Sequence, residues 1–313
     1  MKNQLICIAG PTASGKTALS VELAKKLNTA IVSADSMQIY EEMDIGTAKP
    51  TIEERQGVPH YMLDVCPATE EFSVARYAEI ADAACQKILQ QGKLPIVVGG
   101  TGLYMNALIE GNVFSGDEKD AKHREELEQL ALEQGNLVLH EMLRKIDPES
   151  AEKLHPNNRK RVIRAIEVYE QTGITIGEWN RLHKPPEPRY EAYMLGLCPE
   201  SREILYDRIN RRVDDMMAQG LLAETEALWK KGLLVGTAGQ AIGYKELLPY
   251  LQNQADLEEC VEKLKQDSRN YAKRQLTWLK KDDRIHWIYY NKKEDFPHVL
   301  SNSTDFLQEH GLI

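Results

Sequence analysis

The sequence predicts an α/β fold in which a parallel β-sheet is flanked by helices and interrupted by an all-helical insertion. Three observations carry this expectation. Short apolar runs alternate with helical patterns over the first 110 residues, as a parallel sheet covered on both faces requires. Gly10-Pro11-Thr12-Ala13-Ser14-Gly15-Lys16-Thr17 fits GxxxxGK[ST] and lies between an apolar run and a helical one, the context of a loop that cradles phosphate. From Gly116 to about His183 the pattern becomes charged and helix-forming, with no convincing strand.

The elements follow in order. Residues 5–9 read as a buried strand leading into the loop, and Leu19, Leu23 and Leu27 recur at helical spacing just after it. Residues 30–34 form the second strand candidate, ending at Asp35. Residues 94–98 form the third, which runs into Gly99-Gly100-Thr101-Gly102 and a helix from Leu103. Helices are expected over 123–134 and 158–171. Lys184-Pro185-Pro186-Glu187-Pro188 closes this region, because consecutive prolines cannot continue a helix. Residues 193–198 read as a further buried strand, and 287–290 are strand-like. The organisation expected is a discontinuous P-loop NTPase-like core of residues 1–115 and 190–313, with a helical insertion at 116–189.

Composition narrows the class. A chain of 313 residues with 28% charged side chains describes a soluble globular protein without a membrane span. The short start Met-Lys-Asn-Gln leaves no room for a signal peptide, so a cytoplasmic location is expected. Five widely separated cysteines suggest neither a disulfide framework nor a zinc knuckle. A net charge of −9 argues at first against a nucleic-acid partner. The charge is segregated, however. Acidic residues gather at 117–120 and 125–128, while basic residues cluster at Arg159, Lys160, Arg161 and Arg164, at Arg208, Arg211 and Arg212, and from Arg269 to Lys281. A local basic groove is therefore allowed.

The phosphate loop sets the chemistry. Gly10 and Gly15 permit backbone angles that turn successive N–H groups towards one anion, Lys16 adds a point charge, and Thr17 offers a hydroxyl to magnesium. Neither apolar run ending in Asp, at 30–35 or 61–64, is followed by the second acid that many ATPases use. Asn291-Lys292-Lys293-Glu294 departs from the guanine-reading NKxD at its last position, which removes a GTPase. Asp35 is either a general base or substrate acceptor, or else a turn residue with no chemical role. Thr101, among three glycines, admits a ligand-side or a purely conformational reading. In the helix around 269–278, Arg269 and Lys273 share a face, and Tyr271 and Trp278 lie elsewhere. Arg208 and Arg212 are four apart and also share a face.

Four segments occur together and in order: residues 10–17, Ser33-Ala34-Asp35-Ser36-Met37-Gln38-Ile39-Tyr40, Asp44-Ile45-Gly46-Thr47-Ala48-Lys49-Pro50, and residues 98–104. Pro59-His60, Arg208 to Asp214, Gln240 to Glu246 and Ala272 to Trp278 follow. This succession closely resembles the tRNA dimethylallyltransferase family, also called tRNA isopentenyltransferase, in its compact bacterial form without an added zinc finger.

The resemblance implies transfer of a dimethylallyl group from dimethylallyl diphosphate to N6 of the adenosine beside the anticodon of a tRNA. It implies that Gly10, Pro11, Thr12, Ala13, Ser14, Gly15, Lys16 and Thr17 hold the diphosphate leaving group. Magnesium would sit on Thr17, and Arg208 would share in neutralising the charge, with Arg212 as the other candidate. It further implies that Asp35 takes the N6 proton and that Thr101 lies near the reacting centre. Contacts to the tRNA anticodon stem-loop are expected from Asp35, Ser36, Met37, Gln38 and Thr101, from Arg124, Lys160, Arg161 and Arg164 in the insertion, and from Lys273 and Arg274. The chain is expected to act as a monomer. Other readings of the residues are a P-loop small-molecule or nucleotide kinase, an adenylate isopentenyltransferase, and an RNA-binding module with a vestigial loop.

Overall fold

The computed structural model describes residues 3–112 and 121–313. The acidic stretch at 117–120 and the expected boundary at residue 115 lie outside the described residues. Contacts divide the chain into two units, Met1–Gly111 with Pro188–Ile313, and Asn112–Glu187. Arg189 belongs to the first unit through an ion pair with Asp82 at 2.9 Å.

The first unit is built on six strands: β1 (Asn3–Ala9), β2 (Ile31–Ser33), β3 (His60–Tyr61), β4 (Ile96–Gly99), β5 (Tyr190–Pro199) and β6 (Ile285–Tyr290). They form one sheet in the order β3-β2-β4-β1-β5-β6, and every pairing is parallel. The two-residue periodicity of β1 explains why it reads as unbroken apolar sequence. Leu5, Cys7 and Ala9 face one core, while Ile6 and Ile8 face the other, so both sides of the strand are buried. β1 lies between β4 and β5, in register Ile6 to Ile96 and Ile6 to Tyr193. This central position puts the loop after β1 beside the ends of β4 and β5, where ligands collect in open parallel sheets. The segments after β2 and β4 bring Asp35 and Thr101 to the same edge of the sheet.

The helix Lys16–Lys26 starts directly from the loop, and Gly15 caps it with φ of 81° and no side-chain hydrogen bond. Its first N–H groups are therefore left for a ligand. The long helix Leu257–Leu279 buries Cys260, Leu264, Ala272, Gln275 and Leu279. Its stripe is apolar except for one glutamine.

The described part of the second unit consists of helices Ala121–Gln134, Asn136–Ile146, Pro148–Lys153, Arg159–Thr172 and Ile176–Leu182, without a strand among its described residues. Leu127, Leu139, Leu143, Val162, Ile163 and Ile166 form its core. Asp147 starts one helix by accepting the Ser150 N–H at 2.9 Å, just before Pro148 at the first helical position. Glu167 is 2% exposed, and its carboxylate meets Arg124 at 3.4 Å and Arg164 at 3.7 Å. These two arginines compensate a charge that would be costly to bury alone. Lys160 and Arg161 are exposed.

Candidate active site

The phosphate loop is held from outside, mostly by residues far along the chain. The Arg208 Nε donates to the Ala13 carbonyl at 3.0 Å, and the guanidinium lies 5.1 Å from the centre of the Tyr290 ring. The Tyr290 hydroxyl donates to the Ser14 carbonyl at 2.7 Å. Gln275 Oε1 accepts the Thr12 N–H at 2.9 Å. Within the loop, Lys16 Nζ donates to the Pro11 carbonyl at 2.7 Å. The Ser14 hydroxyl oxygen is buried and has no protein partner, at a turn where further polar company is expected from a ligand.

Beside the loop lies a cavity of about 330 Å³ within the first unit. Lys16, Thr17, Asp35, Arg212, Tyr271 and Gln275 line it, with Thr12, Ser36, Met37, Gln38 and Arg274. The structure thus brings Arg212 to the wall, where its guanidinium is 3.5 Å from the Thr12 hydroxyl. Arg208 does not line the cavity and instead braces the loop. Nor does Thr101: its hydroxyl oxygen accepts the Ser36 N–H at 3.2 Å from behind the wall. Lys273 is exposed, away from the lining.

Asp35 serves the turn and faces the cavity at once. Its Oδ1 accepts the Met37 N–H at 2.9 Å, and the side chain lines the open space. The two readings of this residue are compatible. Gly46, Thr47, Ala48 and Pro50 form another part of the lining. Gln38 Nε2 donates to the Thr47 and Ala48 carbonyls at 3.3 and 3.1 Å. Lys49 is buried and donates to the Tyr40 carbonyl at 2.8 Å and to Asp44 and Asp64. Glu224 accepts the N–H groups of Asp44, Ile45 and Gly46, and the Tyr244 hydroxyl at 2.7 Å.

The electrostatics are those of an anion site. Desolvation lowers Lys16 to about 7, aided by the nearby Arg212 and opposed by Asp35. Arg212 is also lowered, again chiefly by desolvation. Two cations are thus crowded together beside a bare helix N-terminus, an arrangement that an anion relieves. Tyr271 is pushed up to about 12 by burial and by Asp35, so it remains a protonated donor. His60, also on the wall, has Nδ1 2.8 Å from the Val58 carbonyl and is lowered by burial, which leaves a neutral ring with Nε2 as acceptor.

For a divalent cation, the described residues hold no cluster of three or more His, Cys, Asp or Glu side chains. What they offer is the Thr17 hydroxyl at the phosphate loop, in a cavity whose lining also holds the Asp35 carboxylate. That hard-oxygen set fits magnesium, which takes few protein ligands and completes its shell with phosphate oxygens and water.

Sequence reasoning missed Gln275, Tyr271 as a cavity residue, and Glu224. For Gln275 a signal existed: it is the polar residue in an otherwise apolar helical stripe.

A parallel sheet with this loop at the carboxyl end of a central strand, opening on a cation-lined cavity, defines a P-loop phosphate-binding protein. The particular branch follows from comparison. A family model described as IPP transferase matches residues 38–282, and the chain belongs to that family. It is 49% identical over 313 residues to the tRNA dimethylallyltransferase of Acetivibrio thermocellus, covering 100% of this chain and 99% of the relative. It is 49% identical over 296 residues to that of Geobacillus thermodenitrificans, covering 95% and 93%.

Among solved structures, it is similar to tRNA delta(2)-isopentenylpyrophosphate transferase from Staphylococcus epidermidis. The TM-score is 0.72 at 43% identity, covering 99% of this chain and 100% of the other. A eukaryotic dimethylallyltransferase acting on tRNA gives a TM-score of 0.83 at 32% identity, covering 98% and 80%. No described helix is long and apolar enough to cross a membrane.

Proposed function

We propose that this chain transfers a dimethylallyl group from dimethylallyl diphosphate to N6 of the adenosine on the 3′ side of the anticodon in tRNA, releasing diphosphate. The observation that carries the reading is the joint presence of an anion cradle, two crowded cations and the Asp35 carboxylate in the lining of one cavity. The family supports a prenyl donor and a tRNA acceptor.

In this reading the N–H groups at the start of the helix Lys16–Lys26 grip the diphosphate, and Lys16 and Arg212 neutralise charge as it leaves. The bond from N6 to the allylic carbon forms, and the bond from that carbon to the diphosphate oxygen breaks, its electron pair leaving with the diphosphate. Asp35 accepts the N6 proton. A magnesium ion held at the Thr17 hydroxyl would supply further charge neutralisation to the leaving group. Ser36, Met37, Gln38 and Arg274 face the space beside Asp35 and are assigned to the acceptor base. Arg208 is assigned to loop bracing and Thr101 to holding Ser36. Lys160 and Arg161 are assigned to tRNA phosphates, because Arg124 and Arg164 already serve Glu167.

Incubation with labelled dimethylallyl diphosphate, magnesium and an unmodified anticodon stem-loop is expected to give N6-dimethylallyladenosine, whereas AMP as acceptor gives little. Asp35→Asn should lower turnover by about 10²- to 10⁴-fold with diphosphate affinity retained. Transfer to AMP as efficient as to the stem-loop would refute the macromolecular acceptor, and unchanged turnover in the variant would refute the base.

A further inference from the structure

We infer that Gln275 is a positioning residue that fixes the distance between the leaving-group cradle and the acceptor side of the cavity, an inference that rests on the reaction proposed above. The loops after β1, β2 and β4 meet at one edge of the sheet, and those after β2 and β4 are joined by backbone hydrogen bonds from Ala34 N–H to the Val98 carbonyl at 2.6 Å and from Thr101 N–H to the Ala34 carbonyl at 3.2 Å. The spacing left to set is that between this pair and the phosphate loop after β1, whose pairing with β4 ends at Ala9 and Gly99. Gln275, 6% exposed, comes from the helix Leu257–Leu279 and touches two of these loops. Its Oε1 accepts the N–H of Thr12 in the phosphate loop at 2.9 Å.

Its Nε2 lies against Gly100, so closely that a methyl group built on that glycine would stand 2.0 Å from it. A side chain at position 100 would require the Gln275 amide to move. Thr101, the residue after Gly100, donates its N–H to the Ala34 carbonyl beside Asp35 at 3.2 Å. Thr101 in turn accepts the N–H of Ser36, the residue after Asp35. A continuous line of contacts therefore runs from Thr12 through Gln275, Gly100 and Thr101 to the segment carrying Asp35.

The chemistry makes that spacing matter. In-line displacement needs the attacking nitrogen and the departing oxygen on opposite sides of one carbon, and a misplacement of about 1 Å costs about 10²-fold in rate. A buried amide suits this task because it both donates and accepts. An apolar residue in the same stripe would pack the helix equally well and set no spacing.

The test uses two independent ways of disturbing the amide. Gln275→Met keeps its approximate shape and removes both polar atoms, while Gly100→Ala drives a Cβ into Nε2. Each is expected to lower kcat by about 10- to 100-fold, with Kd for inorganic diphosphate and for the anticodon stem-loop within about twofold of wild type. The double variant is expected to be no worse than the poorer single one, because both break the same tie. Three results would overturn the inference: lost affinity with kcat kept, a lowered Tm with normal turnover per folded molecule, or additive losses. A wild-type protein that transfers nothing would instead remove the reaction reading, so the two failures are distinguishable.

Discussion

The cations of the cavity and those of the helical insertion look alike in sequence and differ in what surrounds them. Lys16 and Arg212 are crowded together near Asp35, and both are depressed chiefly by desolvation. In the insertion, Arg124 and Arg164 meet the buried Glu167, and Lys160 and Arg161 lie in water. The first arrangement is electrostatically unfinished and is completed by an anionic ligand. The second is internally settled, and only its exposed members remain for a partner. A basic cluster in a sequence thus becomes informative once the partner of each charge is known.

The comparison is broken most sharply at the cradle. Lys16→Met is expected to reduce turnover by about 10²- to 10³-fold, as for loss of one preorganised donor to a developing anion, without lowering the Tm of the ligand-free protein. Arg212→Gln should approach that loss, while Arg208→Gln should act mainly through a looser loop and cost less. Equal effects of the two arginines in single-turnover kinetics would erase the distinction between wall and brace.

A proton readout gives the next largest effect. Lys16 falls from its ordinary 10.5 to about 7 on folding, so between those values the unfolded chain holds more protons and stability rises with pH. That contribution is fully lost below about pH 7. Bound diphosphate restores the charged ammonium, so at pH 8 to 9 binding is expected to take up a proton. Calorimetry in buffers of different ionisation enthalpy measures this uptake, and it should vanish in Lys16→Met.

The smallest effect on chemistry is expected in the insertion. Replacing Lys160 and Arg161 with serine should leave turnover at saturating tRNA unchanged and flatten the slope of log affinity against log salt by about 1 to 2. Arg124→Met should instead lower Tm, because Glu167 loses one of its partners. An unchanged salt slope in the first variant would place those two residues off the RNA.

Much of this was legible in the sequence, for identifiable reasons. The loop at 10–17 and the strands around it are local patterns, and burial on both faces makes a strand such as β1 conspicuous. The insertion was visible because charge and helical spacing persist over a long stretch. The contacts that finish the site were not legible. Thr12 meets Gln275 across 263 residues and Ala13 meets Arg208 across 195, and no periodicity reports which polar side chain turns inward at such range. Arg208 and Arg212 share a helical face in sequence, and only the packed structure separates brace from wall. Thr101 shows the same limit: its glycine neighbours pointed to the site, and the direction of its hydroxyl came from the fold.

The central place of β1 also bears on how the protein is made. Its neighbours β4 and β5 begin at residues 96 and 190, so a growing chain has one side of this strand unpaired until the whole insertion has been synthesised. At about 5 to 20 residues per second, that interval is about 10 to 40 seconds. Throughout it, an apolar strand edge is open to wrong pairing. The braces on the phosphate loop arrive later still, at Arg208, Gln275 and Tyr290. The nascent protein therefore carries its most recognisable motif long before it can use it, and competence comes only when distant later segments fold back onto that loop.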